Sequence, residues 1–120
     1  MKIPGPDHPI SIEHNPKRVV VRFSGRVVAN SQRALALREA GSAKVLYIPR
    51  ADVDMSLLSP TDHSTHCPYK GDASYFSVSV EGRDAANAVW SYERPFAAVS
   101  AIKDHLAFYT QRVDSVEELD

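Results

Sequence analysis

The pattern that most restricts this chain is a set of short apolar runs of period two, broken by residue pairs that end in glycine. Val19, Val21 and Phe23 alternate with Val20, Arg22 and Ser24, and after Ser24-Gly25 the run resumes as Val27-Val28-Ala29-Asn30. Further along, Phe76, Val78 and Val80 alternate with Tyr75, Ser77 and Ser79. Glu81-Gly82 follows, and Ala86, Ala88, Trp90 and Tyr92 share one face of the returning run Ala85–Tyr92. Alternate residues of a strand point to opposite faces. A pair ending in Gly supplies the positive φ that a tight hairpin turn requires. Two such hairpins predict a mainly β, antiparallel fold with one or two short helices.

The remaining stretches are less regular. Pro4, Pro6 and Pro9 make residues 1–9 an extended arm. Ile10–His14 alternates weakly, as a short edge strand does. Ala34–Glu39 fits a strand or one helical turn, and Lys44–Ile48 fits a strand that Pro49 stops. Asp52–Leu58 reads as a short helical turn, and the polar stretch Thr61–Asp72 as a loop. After Phe96 the spacing of Val99, Ile102, Leu106, Tyr109 and Val113 is helical, although His105–Tyr109 equally fits a final strand. The acidic tail, residues 114–120, is expected to be frayed.

With 120 residues the chain is read as one domain, 1–120, large enough to bury its own core. The apolar share of 43% and charged share of 24% are those of a globular protein. Net charge is −1 with no cluster of Lys and Arg, so the electrostatic footprint of a nucleic-acid binder is missing. No apolar run approaches the roughly 18 residues of a membrane helix, and Met1–Pro6 has no apolar signal-peptide stretch. The single cysteine cannot form an internal disulfide and suits a reducing compartment. A cytoplasmic protein is expected, with no nucleic-acid or membrane partner.

Reactive side chains crowd together only in His63-Ser64-Thr65-His66-Cys67-Pro68-Tyr69-Lys70-Gly71. A thiol beside His66 and Lys70 has positive neighbours that favour the thiolate, which suits nucleophilic or redox chemistry. The other reading makes Cys67 a small buried hydrophobe. Asp62, His63, His66 and Cys67 are metal-ligand types, but no Cys-x-x-Cys is present, and adjacent His66 and Cys67 diverge on an extended backbone. No resident metal is assigned. Asp52, Asp54, Asp62 and Asp72 follow no recognisable Mg²⁺-holding arrangement, and Lys70-Gly71 lacks the phosphate-loop spacing. The cofactor is therefore left unassigned.

Tyr75, Trp90 and Tyr92 fall on facing strands of one hairpin and form an aromatic wall if their faces coincide. The expected site thus takes Cys67, His66 and Lys70 for chemistry and Tyr69, Tyr75, Trp90 and Tyr92 for contact with a small molecule. An interaction domain, including self-association, is the non-enzymatic alternative.

Thr65-His66-Cys67-Pro68-Tyr69-Lys70-Gly71, Ala88-Val89-Trp90-Ser91-Tyr92 with Pro95, and Ala107-Phe108-Tyr109 together resemble a bacterial and fungal family called domain of unknown function four-two-seven. Gly25–Ser31 and Tyr47-Ile48-Pro49 with Asp52-Val53 fit the same pattern, so the likeness spans about Val19 to Val113. It implies a β-tent-like fold, the architecture of zinc-binding exchange-factor-like domains and methionine sulfoxide reductase B. It also implies a nucleotidyltransferase label. Cys67, Lys70, Tyr75, Trp90 and Tyr92 fall at the motif positions. The paired Cys-x-x-Cys knuckles that hold zinc in many β-tent proteins are absent from this sequence. Lys103-Asp104-His105 stands where the family usually shows a Gly-Tyr pair.

Overall fold

A computed structural model describes residues 1–120. Ten strands form: β1 (Ile10–His14), β2 (Arg18–Phe23), β3 (Arg26–Ser31), β4 (Leu35–Glu39), β5 (Val45–Pro49), β6 (Leu58–Cys67), β7 (Gly71–Val80), β8 (Arg83–Ser91), β9 (His105–Phe108) and β10 (Ser115–Leu119). A seven-stranded sheet runs β1-β4-β5-β9-β8-β7-β6, and a three-stranded sheet runs β10-β2-β3. Every pairing is antiparallel. The expected mainly β fold is the one that forms. Both sheets stay open rather than closing into a barrel, and the helical elements are short 3₁₀ turns at Arg50–Asp52, Met55–Leu57 and Ala97–Ile102. No helix is long and apolar enough to cross a membrane.

The two glycine-ended pairs turn the chain as expected. Ser24 and Gly25 have φ of 51° and 78°, and Glu81 and Gly82 have 47° and 83°, the two positive values of a primed hairpin turn. Ala34–Glu39 resolves as strand β4. After Phe96 the chain makes a 3₁₀ turn and then strand β9, the second of the two patterns that its spacing allowed.

Two expectations about where strands run are corrected. Thr61–Asp72 is not a loop: β6 and β7 pair from Leu58↔Val78 to Cys67↔Gly71, leaving only Pro68-Tyr69-Lys70 as the turn. Apart from Leu58, the side chains of β6 are exposed or half-buried. An edge strand buries no continuous face, so it carries no apolar alternation, and Pro60 is tolerated on it. The acidic tail is not frayed either. Residues Ser115–Leu119 pair with β2, Val116 opposite Val21. Glu117 accepts from Arg22 at 2.9 Å, and Glu118 accepts from Lys44 at 2.9 Å and Asn15 at 3.0 Å. Its carboxylates are partners of cations that lie far away in sequence.

Both faces of the larger sheet are buried. On one face Ile48, Phe76, Val78, Val89 and Leu106 pack against Val19, Val21, Phe23 and Val28 of the smaller sheet. On the other face Leu37, Tyr47, Ala73, Tyr75, Tyr92 and Ala107 form a second cluster over Val99 and Ile102. β7 serves both, with Tyr75 in one cluster and Phe76 in the other.

The two ends of this sheet meet through side chains. Glu39 at the end of β4 accepts from Lys70 in the β6–β7 turn. His8 in the N-terminal arm stacks on Tyr69, centroids 3.9 Å apart and rings 8° from parallel, and the Lys2 amide donates to the Pro68 carbonyl at 2.7 Å. What no strand ladder closes, an ion pair and a stacked ring pin.

Candidate functional site

Where the sheet ends meet, a recess of about 210 Å³ opens, walled by Tyr47, Tyr75, Tyr92, Tyr109, Trp90 and Leu37, with Glu39 and Lys70 at one side. Register builds it. Tyr75 on β7 lies directly opposite Trp90 on β8, and Trp90 lies opposite Ala107 on β9, so one sheet face gathers aromatics from successive strands. The small Ala107 leaves room for the indole. Trp90 packs on Tyr109 with centroids 4.6 Å apart and meets Tyr47 edge-on.

Hydrogen bonds fix these rings. Trp90 Nε1 donates to Tyr47 Oη at 3.3 Å. Tyr75 Oη meets Thr65 Oγ1 at 2.9 Å and Tyr109 Oη at 3.4 Å. No side-chain bond engages the Tyr92 hydroxyl. Because no fully buried side-chain polar atom lacks a partner, that hydroxyl is not fully buried, and Tyr92 lines the recess. The Tyr47 oxygen accepts from Trp90, which leaves its proton to donate.

Lys70 is buried at 8% exposure and gives one of its three protons to Glu39, while its ammonium stands 5.9 Å from the Tyr92 ring centroid. The second Glu39 oxygen contacts His8 Nε2 at 2.7 Å. Burial pushes the Glu39 carboxyl up, but Lys70 and His8 outweigh it and hold the group below the ordinary range.

Burial also raises Tyr47 and Tyr92 far above the usual phenol value, and the bond from Tyr75 raises Tyr109. The recess therefore presents neutral hydroxyls. Folding keeps these protons while the unfolded chain loses its own above about pH 10, so stability falls as pH rises past that point. Of the five tyrosines, Tyr47 and Tyr92 should stay un-ionised at about pH 11 until the fold is lost. Absorbance titration near 295 nm against circular dichroism checks this. Phenolate formation by all five before any loss of β signal would contradict the burial argument.

Of the residues singled out from sequence, Lys70, Tyr75, Trp90 and Tyr92 line the recess and converge. Tyr69 instead stacks on His8 outside it. Cys67 is half-buried against the aromatic cluster without lining the recess, and His66 turns to the other face, where its Nδ1 meets Asp72 at 2.7 Å. The divergence of adjacent strand residues separates the thiol from the imidazole. No three His, Cys, Asp or Glu side chains gather as a metal-holding set. The carboxylates weighed for Mg²⁺ are dispersed: Asp52 holds Arg33 and Ser31, Asp54 accepts from the Ser56 amide, and Asp72 meets His66.

Glu39, Tyr47, Tyr109 and His8 also belong to the site or its rim, and sequence reading assigned them no role there. The family likeness touched two of them, through Tyr47-Ile48-Pro49 and Ala107-Phe108-Tyr109.

Fold and site together define an open antiparallel β domain that folds an aromatic, hydroxyl-lined recess into one sheet face. A model of the family described as domain of unknown function (DUF427) matches residues 11–119, and the chain belongs to that family. Its Cys-Pro-Tyr-Lys-Gly run is the turn that carries Lys70 to Glu39. No curated protein gives a significant match.

Proposed function

We propose that this domain binds a small, neutral, carbonyl-bearing ring compound in the recess between Lys70 and Trp90. One observation carries the reading: three groups there keep protons that no protein acceptor takes. They are the remaining Lys70 protons, the Tyr47 proton and the Tyr92 hydroxyl. A ligand acceptor answers a buried donor better than water at a restricted site. A carboxylate ligand would share Lys70 with Glu39 and meet like-charge repulsion, so a neutral carbonyl suits the site better. The tyrosine and tryptophan faces favour a flat partner. The half-buried, unpaired Cys67 thiol suits a reducing compartment such as the cytoplasm.

Trp90 is the only tryptophan, so its indole N–H gives one NMR signal that needs no assignment. Titrated with acetophenone, benzoate and benzylamine, that signal should move in a saturable way with the ketone and least with benzylamine. Lys70→Met should weaken the ketone response about tenfold, the loss of one buried charge-assisted hydrogen bond. Absence of a saturable response to acetophenone would defeat the proposal.

A further inference from the structure

A second and larger cleft, about 350 Å³, adjoins the recess. It arises because β5 and β9 part company. They pair only at Ile48↔Leu106 and Pro49↔His105, while the earlier residues of β5 pair with β4 and the later ones of β9 pair with β8. Between the diverging strands lie Leu46, Ile48, Phe108 and, from β10, Val116, with the Lys44–Glu118 ion pair at the rim. Ala43, Val45, Trp90 and Tyr109 line both spaces, so the cleft and the recess share a wall. Between Ala40 and Lys44 the β4–β5 connection offers Gly41, Ser42 and Ala43, all exposed and small.

We infer that the ligand is an amphiphile: its carbonyl-bearing ring occupies the recess, and an unbranched apolar chain crosses at Ala43 into the β5–β9 cleft. This rests on the reading of the recess above and names the ligand class more closely. The two spaces differ in chemistry in the way such a molecule requires. The recess ends in hydroxyls and the Lys70–Glu39 pair. The cleft is lined mainly by aliphatic and aromatic side chains, with the Lys44–Glu118 pair and the exposed Thr110 and Gln111 as its polar members. An apolar chain placed there leaves water without leaving any polar group unpaired.

The test is a chain-length series of 4-alkylacetophenones, methyl to hexyl, followed by the Trp90 indole signal. Affinity should rise up to about fourfold for each buried methylene. Leu46→Lys and Val116→Lys each place a charge in the cleft but not in the recess, and in either variant the gain per methylene should fall towards onefold. Circular dichroism shows which variants fold. In the wild-type protein, NOEs from the terminal methyl of the hexyl compound to the Phe108 ring are expected. A flat series in wild-type protein, with acetophenone itself bound, overturns the amphiphile and leaves the recess reading standing. No binding by any member, acetophenone included, overturns both. An undiminished gain per methylene in a folded variant, or NOEs elsewhere, also overturns the cleft as the chain site.

Discussion

Glu39→Ala is expected to destabilise the fold by about 2 kcal/mol, more than Lys70→Met at about 1 kcal/mol. The reason is burial asymmetry. The Lys70 side chain is 10% exposed and that of Glu39 is 22%, so removing the carboxylate strands an ammonium that water barely reaches. Removing the ammonium leaves a carboxylate that still meets His8 and partly faces solvent. Fully buried pairs lose about 3–5 kcal/mol when one partner goes, and the partial exposure here reduces that. The double variant should cost less than the sum of the singles, with a coupling of about 1 kcal/mol read from urea denaturation. Additive singles would mean that the pair holds nothing together.

The same pair sets a pH signature. Glu39 titrates below its ordinary value when folded, so its contribution is complete above about pH 4.5 and disappears as pH falls through the lowered value. Between about pH 5 and 3 the wild-type Tm should therefore fall more steeply than that of Glu39→Ala. Parallel slopes would assign the acid sensitivity to other carboxylates.

Gly71→Ala is the second large effect, expected at about 2–3 kcal/mol. Gly71 has φ of +111°, a conformation that side chains rarely adopt, and a Cβ there would sit 3.3 Å from the Arg94 carbonyl oxygen. That neighbour is backbone and is held in place, because the Phe96 amide donates to the Lys70 carbonyl at 3.0 Å. Two controls separate strain from crowding. Gly82→Ala carries positive φ but has open space around it, so about 1 kcal/mol is expected. Gly41→Ala meets neither obstacle and should be neutral or slightly stabilising. Equal losses at Gly71 and Gly82 would show that the contact with Arg94 is immaterial. The loss at Gly71 should also weaken acetophenone binding, since this residue fixes where the chain delivers Lys70.

β8 shows where reading by period fails. Strict alternation puts Ala86 and Ala88 on one face, yet Ala85 and Ala88 are buried and Ala86 is exposed. The register shifts opposite Phe76–Val78, and Asn87 sits at φ of 51°. Its amide donates to Ser77 Oγ at 3.0 Å and its Oδ1 accepts from Thr61 at 2.6 Å. Three β8 residues, Ala86, Asn87 and Ala88, stand opposite the single Ser77. This two-residue bulge breaks the alternation, while Ala85 and Val89 on either side keep the same buried face. Asn tolerates the conformation, and its partners lie on other strands, so no local pattern announces it.

Local chemistry settled a good deal of this protein. The alternation of Val19–Phe23 and Phe76–Val80, with turn pairs Ser24-Gly25 and Glu81-Gly82, determined strands, hairpins and the mainly β class, because side-chain period and positive φ are properties of neighbouring residues. The register that the Glu81-Gly82 turn sets, from Val80↔Arg83 to Val78↔Ala85, would put Tyr75 opposite Ala88, and only the bulge in β8 brings Trp90 there. Tertiary structure decided the rest. Glu39 reaches Lys70 across 31 positions, and Glu118 reaches Asn15 across 103. Tyr47 joins Trp90 only because β9 separates β5 from β8 in the sheet. Single charged or aromatic residues carry no period, and their partners are chosen by strand order. Strand order, in turn, comes from burying both faces of one sheet at once.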